Sequence, residues 1–195
     1  MKILKTATTI LVKADYSATF VSEAKKLGGK WNGDNKSWDF DIEDEERVKA
    51  LLRKIFGTDG DSAVEMVRVE IDLNSIDTIS NGTFEMFGRT LLQRRSRDYA
   101  VMQHDSVIVV RGGFSHTGGS VKHPNLGQAD DTIIEVKSVP LELAEKAVAD
   151  YPDAIRIIGD AKIDRSALEA EKAKLLLRLA AIEKLLAPAV QSKEI

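Results

Sequence analysis

The chain contains no cysteine, and that absence removes several kinds of chemistry at once. Disulfide bonds, catalytic thiolates and zinc sites with sulfur ligands all need a cysteine side chain and are therefore excluded. A chain without disulfides is compatible with a reducing compartment, so we expect a cytoplasmic location.

The sequence also lacks long apolar runs. No stretch approaches the roughly 20 apolar residues that a membrane-spanning helix needs. The first 17 residues contain no sustained apolar segment followed by a cleavage site of small residues, as a secretory signal would. We therefore expect neither a secretory signal nor a membrane partner.

Charge of one sign is not in large excess over the whole chain, whose net charge is −3. Residues 1–60 carry 11 basic and 10 acidic groups, residues 61–160 carry 10 and 16, and residues 161–195 carry 7 and 5. This balance argues against a strongly basic protein that packages nucleic acid, but it leaves room for local basic patches.

Recognisable catalytic and cofactor motifs are missing too. The sequence has no Walker loop, no dinucleotide-binding fingerprint and no Gly-x-Ser-x-Gly elbow. The only histidines are His104, His116 and His123, and their spacing matches no standard metal site. We therefore predict a non-enzymatic protein that needs no cofactor and no metal.

What is present indicates an α+β protein, beginning with a small β-α-β-β-α module over residues 1–57. Residues 3–13 are predicted to form one strand, and Asp15 is predicted to cap the helix that follows. Turn-forming residues 32–35 predict a hairpin. An amphipathic stripe then predicts a second helix, through Val48, Leu51, Leu52, Ile55 and Phe56. Residues 57–62 have the composition of a linker.

Residues 63–159 are rich in alternating apolar and polar positions. Val67, Val69 and Ile71 alternate with charged residues, which is typical of a half-buried strand. Four to six such strands with little helix predict a small twisted sheet or a partly open barrel. A glycine-rich loop, 112–131, interrupts this domain.

A C-terminal amphipathic helix is predicted over residues 164–187, followed by a disordered tail, 188–195. Leu168, Leu175 and Ile182 recur every seven residues, with Leu179 and Leu186 on the adjoining stripe. This row favours either packing on the chain's own domain or a homo-oligomer formed through the helix.

The most distinctive local pattern is Leu27-Gly-Gly-Lys-Trp31, a turn, and then Lys36-Ser-Trp-Asp-Phe40. It resembles the HARP motif of annealing helicases, and similar segments of plasmid and phage replication proteins, over about residues 5–56. The resemblance implies nucleic-acid handling, and its matching positions are Lys30, Trp31, Lys36 and Trp38. The chain has no helicase motif, so only a binding role could transfer. Packing of Trp38 in the core is the competing interpretation.

The densest basic cluster is Arg89, Arg94, Arg95 and Arg97, with Tyr99 beside it. Guanidinium groups bind phosphates, and an aromatic ring stacks on bases, so these residues are candidate nucleic-acid contacts. A solvated strand edge, where charge prevents aggregation, is the alternative.

The glycine-rich loop is a candidate for contact with a ligand or partner through Arg111, His116, Lys122 and His123. Its glycines would let backbone amides approach an anion. Disorder, or ordering only against a partner, is the alternative.

Three functions follow from these patterns. The first is a nucleic-acid-binding accessory protein encoded by a phage or plasmid, with single-stranded DNA as a possible ligand. The second is a protein-interaction module or inhibitor that docks on a host protein complex. The third is nucleotide or small-molecule binding by the glycine-rich loop.

Overall fold

Residues 1–162 and 165–186 are described by a computed structural model, and they form an α+β fold. This part of the chain holds eleven strands and four helices. The strands are β1 Lys2–Lys5, β2 Thr9–Lys13, β3 Lys30–Asn32, β4 Ser37–Asp41, β5 Met66–Asp72, β6 Thr83–Met86, β7 Arg89–Gln93, β8 Met102–Gln103, β9 Val107–Arg111, β10 Ile133–Pro140 and β11 Ile155–Lys162. The helices are α1 Ala18–Lys26, α2 Glu45–Phe56, α3 Leu141–Asp150 and α4 Arg165–Leu186.

The first module is an antiparallel sheet in the order β1-β2-β4-β3, with α1 and α2 packed on one face. The single strand predicted over residues 3–13 is wrong, because the segment folds back on itself as the β1–β2 hairpin. Its turn is closed by Thr6, whose amide donates to the Thr9 carbonyl at 2.9 Å and whose Oγ1 accepts from the Thr9 amide at 3.0 Å. Threonine hydroxyls here replace the glycine or asparagine usual at such turns.

The helices of this module follow from local sequence. The amphipathic stripe of α2 is confirmed, since Val48, Leu51, Leu52 and Phe56 are buried and the helix ends at Gly57. The predicted cap of α1 is wrong, because Ser17 caps it by accepting from the Phe20 amide at 3.3 Å. Asp15 is thereby left to contact the second module.

The segment that follows α2 is pinned in place. Asp59, only 1 % exposed, accepts hydrogen bonds from the amides of Asp61 and Ser62 at 3.0 and 2.8 Å. It also pairs with Arg53 of α2. Burial of Asp59 opposes its ionisation, but these hydrogen bonds outweigh that cost and lower its pKa to about 2. The expected linker is therefore held against the first module.

The second module contains two open antiparallel sheets, ordered β11-β5-β10-β9 and β6-β7-β8. Alternation along β5 buries Val67, Val69 and Ile71 between these sheets and α3. The strand-rich prediction is confirmed, and it takes the form of sheets that remain open.

The two modules touch at the β6–β7 turn. Gly88, with φ of 75°, lies so close to α2 that a side chain there would collide with the Ile55 carbonyl oxygen. Phe87 beside it is buried in the core of the second module. This turn therefore joins the end of α2 to the strand-rich core.

The apolar side chains described in the C-terminal helix α4 face solvent. Every side chain described in it is exposed, and five large apolar ones are between 44 and 74 % exposed: Leu175, Leu176, Leu177, Leu179 and Ile182. The side chains of Leu168 and Leu186, and the predicted tail 188–195, lie outside the described part. Packing on the chain's own domain is not seen for the described side chains.

Candidate functional site

The two tryptophans of the β3–β4 hairpin have different environments. Trp38 is 7 % exposed and packs edge-on to Phe20 of α1, with ring centroids 6.1 Å apart. Its assignment as a base-stacking residue is therefore wrong, because its ring belongs to the core of the first module. Trp31 is directly opposite in the register, with its ring centroid 5.8 Å from that of Trp38. At the sheet edge it remains 56 % exposed.

The lysines of this hairpin do not converge on Trp31. Successive strand residues face opposite sides of a sheet, so Lys30 and Trp31 point to different faces. Lys30 lies opposite Asp39, which accepts hydrogen bonds from Ser37 and Asn32. Lys36 is exposed in the turn with a left-handed backbone, φ 50°. The hairpin thus exposes the ring of Trp31, with Lys30 on the other face of the sheet and Lys36 in the turn.

Arg94 is the largest fully buried side chain described, at 1 % exposure. Its guanidinium donates to five backbone carbonyl oxygens. Those oxygens and their distances are Arg97 3.4 Å, Tyr99 2.5 Å, His116 3.1 Å, Ser115 2.6 Å and Leu126 2.8 Å. Its assignment as a phosphate contact is wrong, because the side chain is buried and its Nη1 and Nη2 donate to carbonyl groups inside the protein.

Arg89 also donates hydrogen bonds to backbone carbonyl groups within the protein. Its Nη2 donates to the carbonyls of Lys137 and Ser138 at 2.9 and 3.3 Å, where β10 bulges. Burial lowers the pKa of Arg89, and the nearby carboxylate of Asp15 raises it. Asp15 also lies 3.7 Å from Nε2 of His104. Arg89 therefore sits at the junction of the modules and is not a free phosphate contact.

Arg95, Arg97 and Tyr99 remain at the surface. Arg97 pairs with Asp98 at 2.9 Å, and Tyr99 is 63 % exposed. Arg95 is exposed and forms no ion pair with the side chains of residues 1–158. The basic cluster of the sequence thus divides into one buried arginine, one partly buried arginine and two surface arginines.

The glycine-rich loop is ordered around Arg94. Two isolated antiparallel bridges, Phe114 with Gln128 and Gly119 with Pro124, bring its two halves side by side. We call the first half the outgoing arm and the second half the returning arm. Several of its amides already donate to protein acceptors: Gly113, Ser115, Gly118, Ser120, His123 and Asn125. These amides are therefore not free to donate to a bound anion.

The four predicted contact residues of this loop are exposed and lie at three separate places along it. Arg111 lies at its start and pairs with Asp131 at 3.5 Å. His116 lies on the outgoing arm, while Lys122 and His123 lie at the tip beside Val121, which is 68 % exposed.

A cleft of about 650 Å³ opens between the chain segment 98–103 and the outgoing arm of the loop, 113–117. We refer to it as the β8–β9 cleft. Its floor contains Val101, Val109 and Phe114, which also pack against the core. Asp98, Gln103, His116 and Thr117 are among its polar lining residues. Arg94 binds the backbone of both walls, so its contacts fix their separation.

Of these lining residues, only His116 is a predicted contact. The strand pattern of the sequence marks Val101 and Val109 as core, and nothing local shows that a cleft reaches them. Phe114 carried a weak signal, because a large aromatic residue stands out in an otherwise small and polar loop.

Comparison with protein-family models, curated proteins and solved structures gave no match. The resemblance of residues 5–56 to the HARP motif therefore stays a prediction. Within residues 1–162 and 165–186, no three His, Cys, Asp or Glu side chains are grouped to hold a metal ion. In that same part of the chain, no helix combines the length and apolar character needed to cross a membrane.

Proposed function

We propose that this chain is a non-catalytic protein-interaction protein that works as an oligomer, with α4 as its self-association element. The observation that carries the proposal is the exposure of the five large apolar side chains of α4. Such a concentration of apolar surface marks an interaction site.

The physical case rests on how helices are stabilised. An isolated helix is marginal in water, because most helical stability in proteins comes from packing an apolar face. The 22 residues of α4 extend about 33 Å. Leu175, Leu179 and Ile182 lie three and four residues apart and form one seam along it. Pairing this seam with that of a second copy would remove these three side chains from water.

Light scattering coupled to size exclusion tests the oligomer. The full chain has a monomer mass of 21.5 kDa. We expect a mass of two or more monomers, and a monomer for the variant L175S/L179S/I182S. Leu177→Ser is the matched control, because Leu177 is the most exposed of the five and lies off the seam. A wild-type chain that elutes as a monomer at tens of micromolar would contradict the proposal.

The partner of the oligomer is proposed to be a host protein complex with a basic surface. Residues 61–160 carry a net charge of −6, so the second module is complementary to a surface that ordinarily meets phosphate. Cross-linking of the tagged chain in its native host, followed by mass spectrometry, should return one stoichiometric basic partner. Association of that partner should weaken as salt increases.

Nucleic-acid binding by a phage- or plasmid-encoded accessory protein is the second candidate, supported by the exposed ring of Trp31. Base stacking on one aromatic residue is worth about 1–3 kcal/mol. If this function is real, the affinity for a fluorescent single-stranded oligonucleotide should fall with salt and with Trp31→Ala. An R95A/R97A variant should reduce the salt dependence. Equal binding by wild type and Trp31→Ala would remove the candidate.

A further inference from the structure

We propose that the β8–β9 cleft binds an extended segment of a partner protein, which adds as a strand beside β9. The inference rests on the protein-interaction function proposed above, and it names the site and the form of the partner. Strand addition is a recurrent way for a sheet to recognise a peptide, since backbone hydrogen bonds supply affinity and alternate side chains supply specificity.

The sheet order provides the edges that strand addition needs. β9 is the terminal strand of one sheet, paired with β10 on one side. β8 is the terminal strand of the other sheet, paired with β7. Val109 of β9 and Gln103 of β8 both line the cleft. A segment lying in it would therefore run beside the unpaired edge of β9, which carries backbone donors and acceptors.

The side chains of the cleft suit a peptide with apolar residues at alternate positions. Val101, Val109 and Phe114 form an apolar floor that faces every second residue of an added strand.

Charge in the cleft selects among such peptides. Asp98 is the only lining residue of the cleft that carries a formal charge, and its ion pair with Arg97 is exposed to solvent. The second module around it has a net charge of −6 over residues 61–160. A basic residue beside the alternating apolar positions of the segment would complement this negative charge, in keeping with the basic partner proposed above.

The cleft is preorganised by the buried guanidinium beneath it. Arg94 donates to the Tyr99 carbonyl on one wall and to the Ser115 and His116 carbonyls on the other. A site whose walls are already held apart loses less conformational entropy when it binds. That property favours a rigid receptor for a flexible segment.

The probe is a phage-displayed library of random peptides of about ten residues, the upper length of a typical strand. The full chain is the target. Thr117→Arg places a long cation in the cleft from an exposed position, and Ser22→Arg makes the same change on the exposed face of α1. Unchanged melting temperatures of both variants establish that they fold.

Enriched peptides should alternate apolar and polar residues and include a basic residue, which the added cation of Thr117→Arg would repel. Their affinity, measured by fluorescence polarisation, should fall at least about tenfold with Thr117→Arg and stay unchanged with Ser22→Arg. N-methylation of one alternate set of peptide amides should abolish binding, while methylation of the other set should not, because only one edge of an added strand is paired.

Three results would overturn the inference: no peptide enriched, enriched peptides that bind Thr117→Arg as tightly as wild type, or peptides displaced by single-stranded DNA. Light scattering on the same samples keeps this outcome separate from the proposed function. A dimer without peptide binding refutes the cleft alone, whereas a monomer that binds peptides refutes only self-association through α4.

Discussion

Nη2 of Arg94 lies 2.6 Å from the carbonyl oxygen of Ser115, a residue 21 positions further along the chain. The same nitrogen lies 2.8 Å from the carbonyl oxygen of Leu126, on the returning arm of the loop. Among the side chains of residues 1–158, no carboxylate pairs with this buried cation. Carbonyl dipoles therefore take the place of water around the charge, and the charge in turn fixes the loop.

Replacing Arg94 with lysine should destabilise the protein by about 2–4 kcal/mol, because an ammonium group has fewer and differently directed donors and leaves buried carbonyls unsatisfied. Urea denaturation measures this loss. Arg95→Lys is the matched control on the neighbouring exposed arginine, and its effect should stay within about 0.5 kcal/mol. Amides in 112–131 should also exchange faster in Arg94→Lys. Equal unfolding midpoints for wild type and Arg94→Lys would show that the guanidinium does not organise the loop.

The contact between the modules can be tested at two glycines that both have a left-handed backbone. Gly28, φ 78°, has no atom within 4 Å of where a Cβ would stand, so Gly28→Ala should cost only about 1 kcal/mol of strain. At Gly88 an added Cβ meets the carbonyl group of Ile55 and the ring of Phe56. Gly88→Ala should therefore cost at least about 2 kcal/mol more in thermal unfolding. Equal costs for the two variants would mean that the turn and α2 are not in firm contact.

The elements with strong periodicity were predictable from sequence, and those decided by local hydrogen bonds were not. The stripe through Val48, Leu52 and Phe56 predicts α2 because one face must be buried. The turn at Thr6 escaped prediction, since it lacks glycine, proline and asparagine and is closed by hydroxyl groups. Ser17 rather than Asp15 caps α1, and composition does not distinguish between two capable residues two positions apart.

The candidate site was harder to predict because distant contacts decide which arginine is buried. Arginine is rarely buried, so a cluster of arginines in a sequence predicts surface residues. The carbonyl groups that surround Arg94 come from as far along the chain as Leu126. Only the fold brings these groups together, and with them the two walls of the β8–β9 cleft.

The two tryptophans should respond differently to truncation. Trp38→Ala removes a buried ring from the first core and should cost about 3–5 kcal/mol. Trp31→Ala removes a ring that is 56 % exposed and should cost about 1 kcal/mol, mainly its contact with Trp38. Fluorescence supplies an independent readout, because the emission of the Trp31→Ala variant, from Trp38 alone, should shift to the blue. A Trp31→Ala variant as unstable as Trp38→Ala would show that the outer ring is part of the core.

Asp59 predicts how stability depends on pH. Its pKa is about 2 in the folded protein, below the roughly 3.9 expected of an unfolded chain. A group whose pKa is lowered by folding stabilises the fold above its unfolded pKa, and loses that contribution as the pH falls through the folded value. Asp59→Asn keeps one acceptor but removes the charge that pairs with Arg53, so it should cost about 1–3 kcal/mol at pH 7.

The difference in unfolding free energy between wild type and Asp59→Asn should shrink between pH 4 and pH 2. Only the wild type has a carboxylate at residue 59, and protonation of that carboxylate removes its contribution. Asp34→Asn is the control, since Asp34 is exposed in the β3–β4 turn, and its effect should stay within about 0.5 kcal/mol throughout. A difference that stayed constant down to pH 2 would mean that the charge of Asp59 does not cause the stabilisation, and that side-chain shape and hydrogen bonding do. A difference that vanishes with acid assigns it to the ionised carboxylate, which then is what holds residues 57–62 against α2.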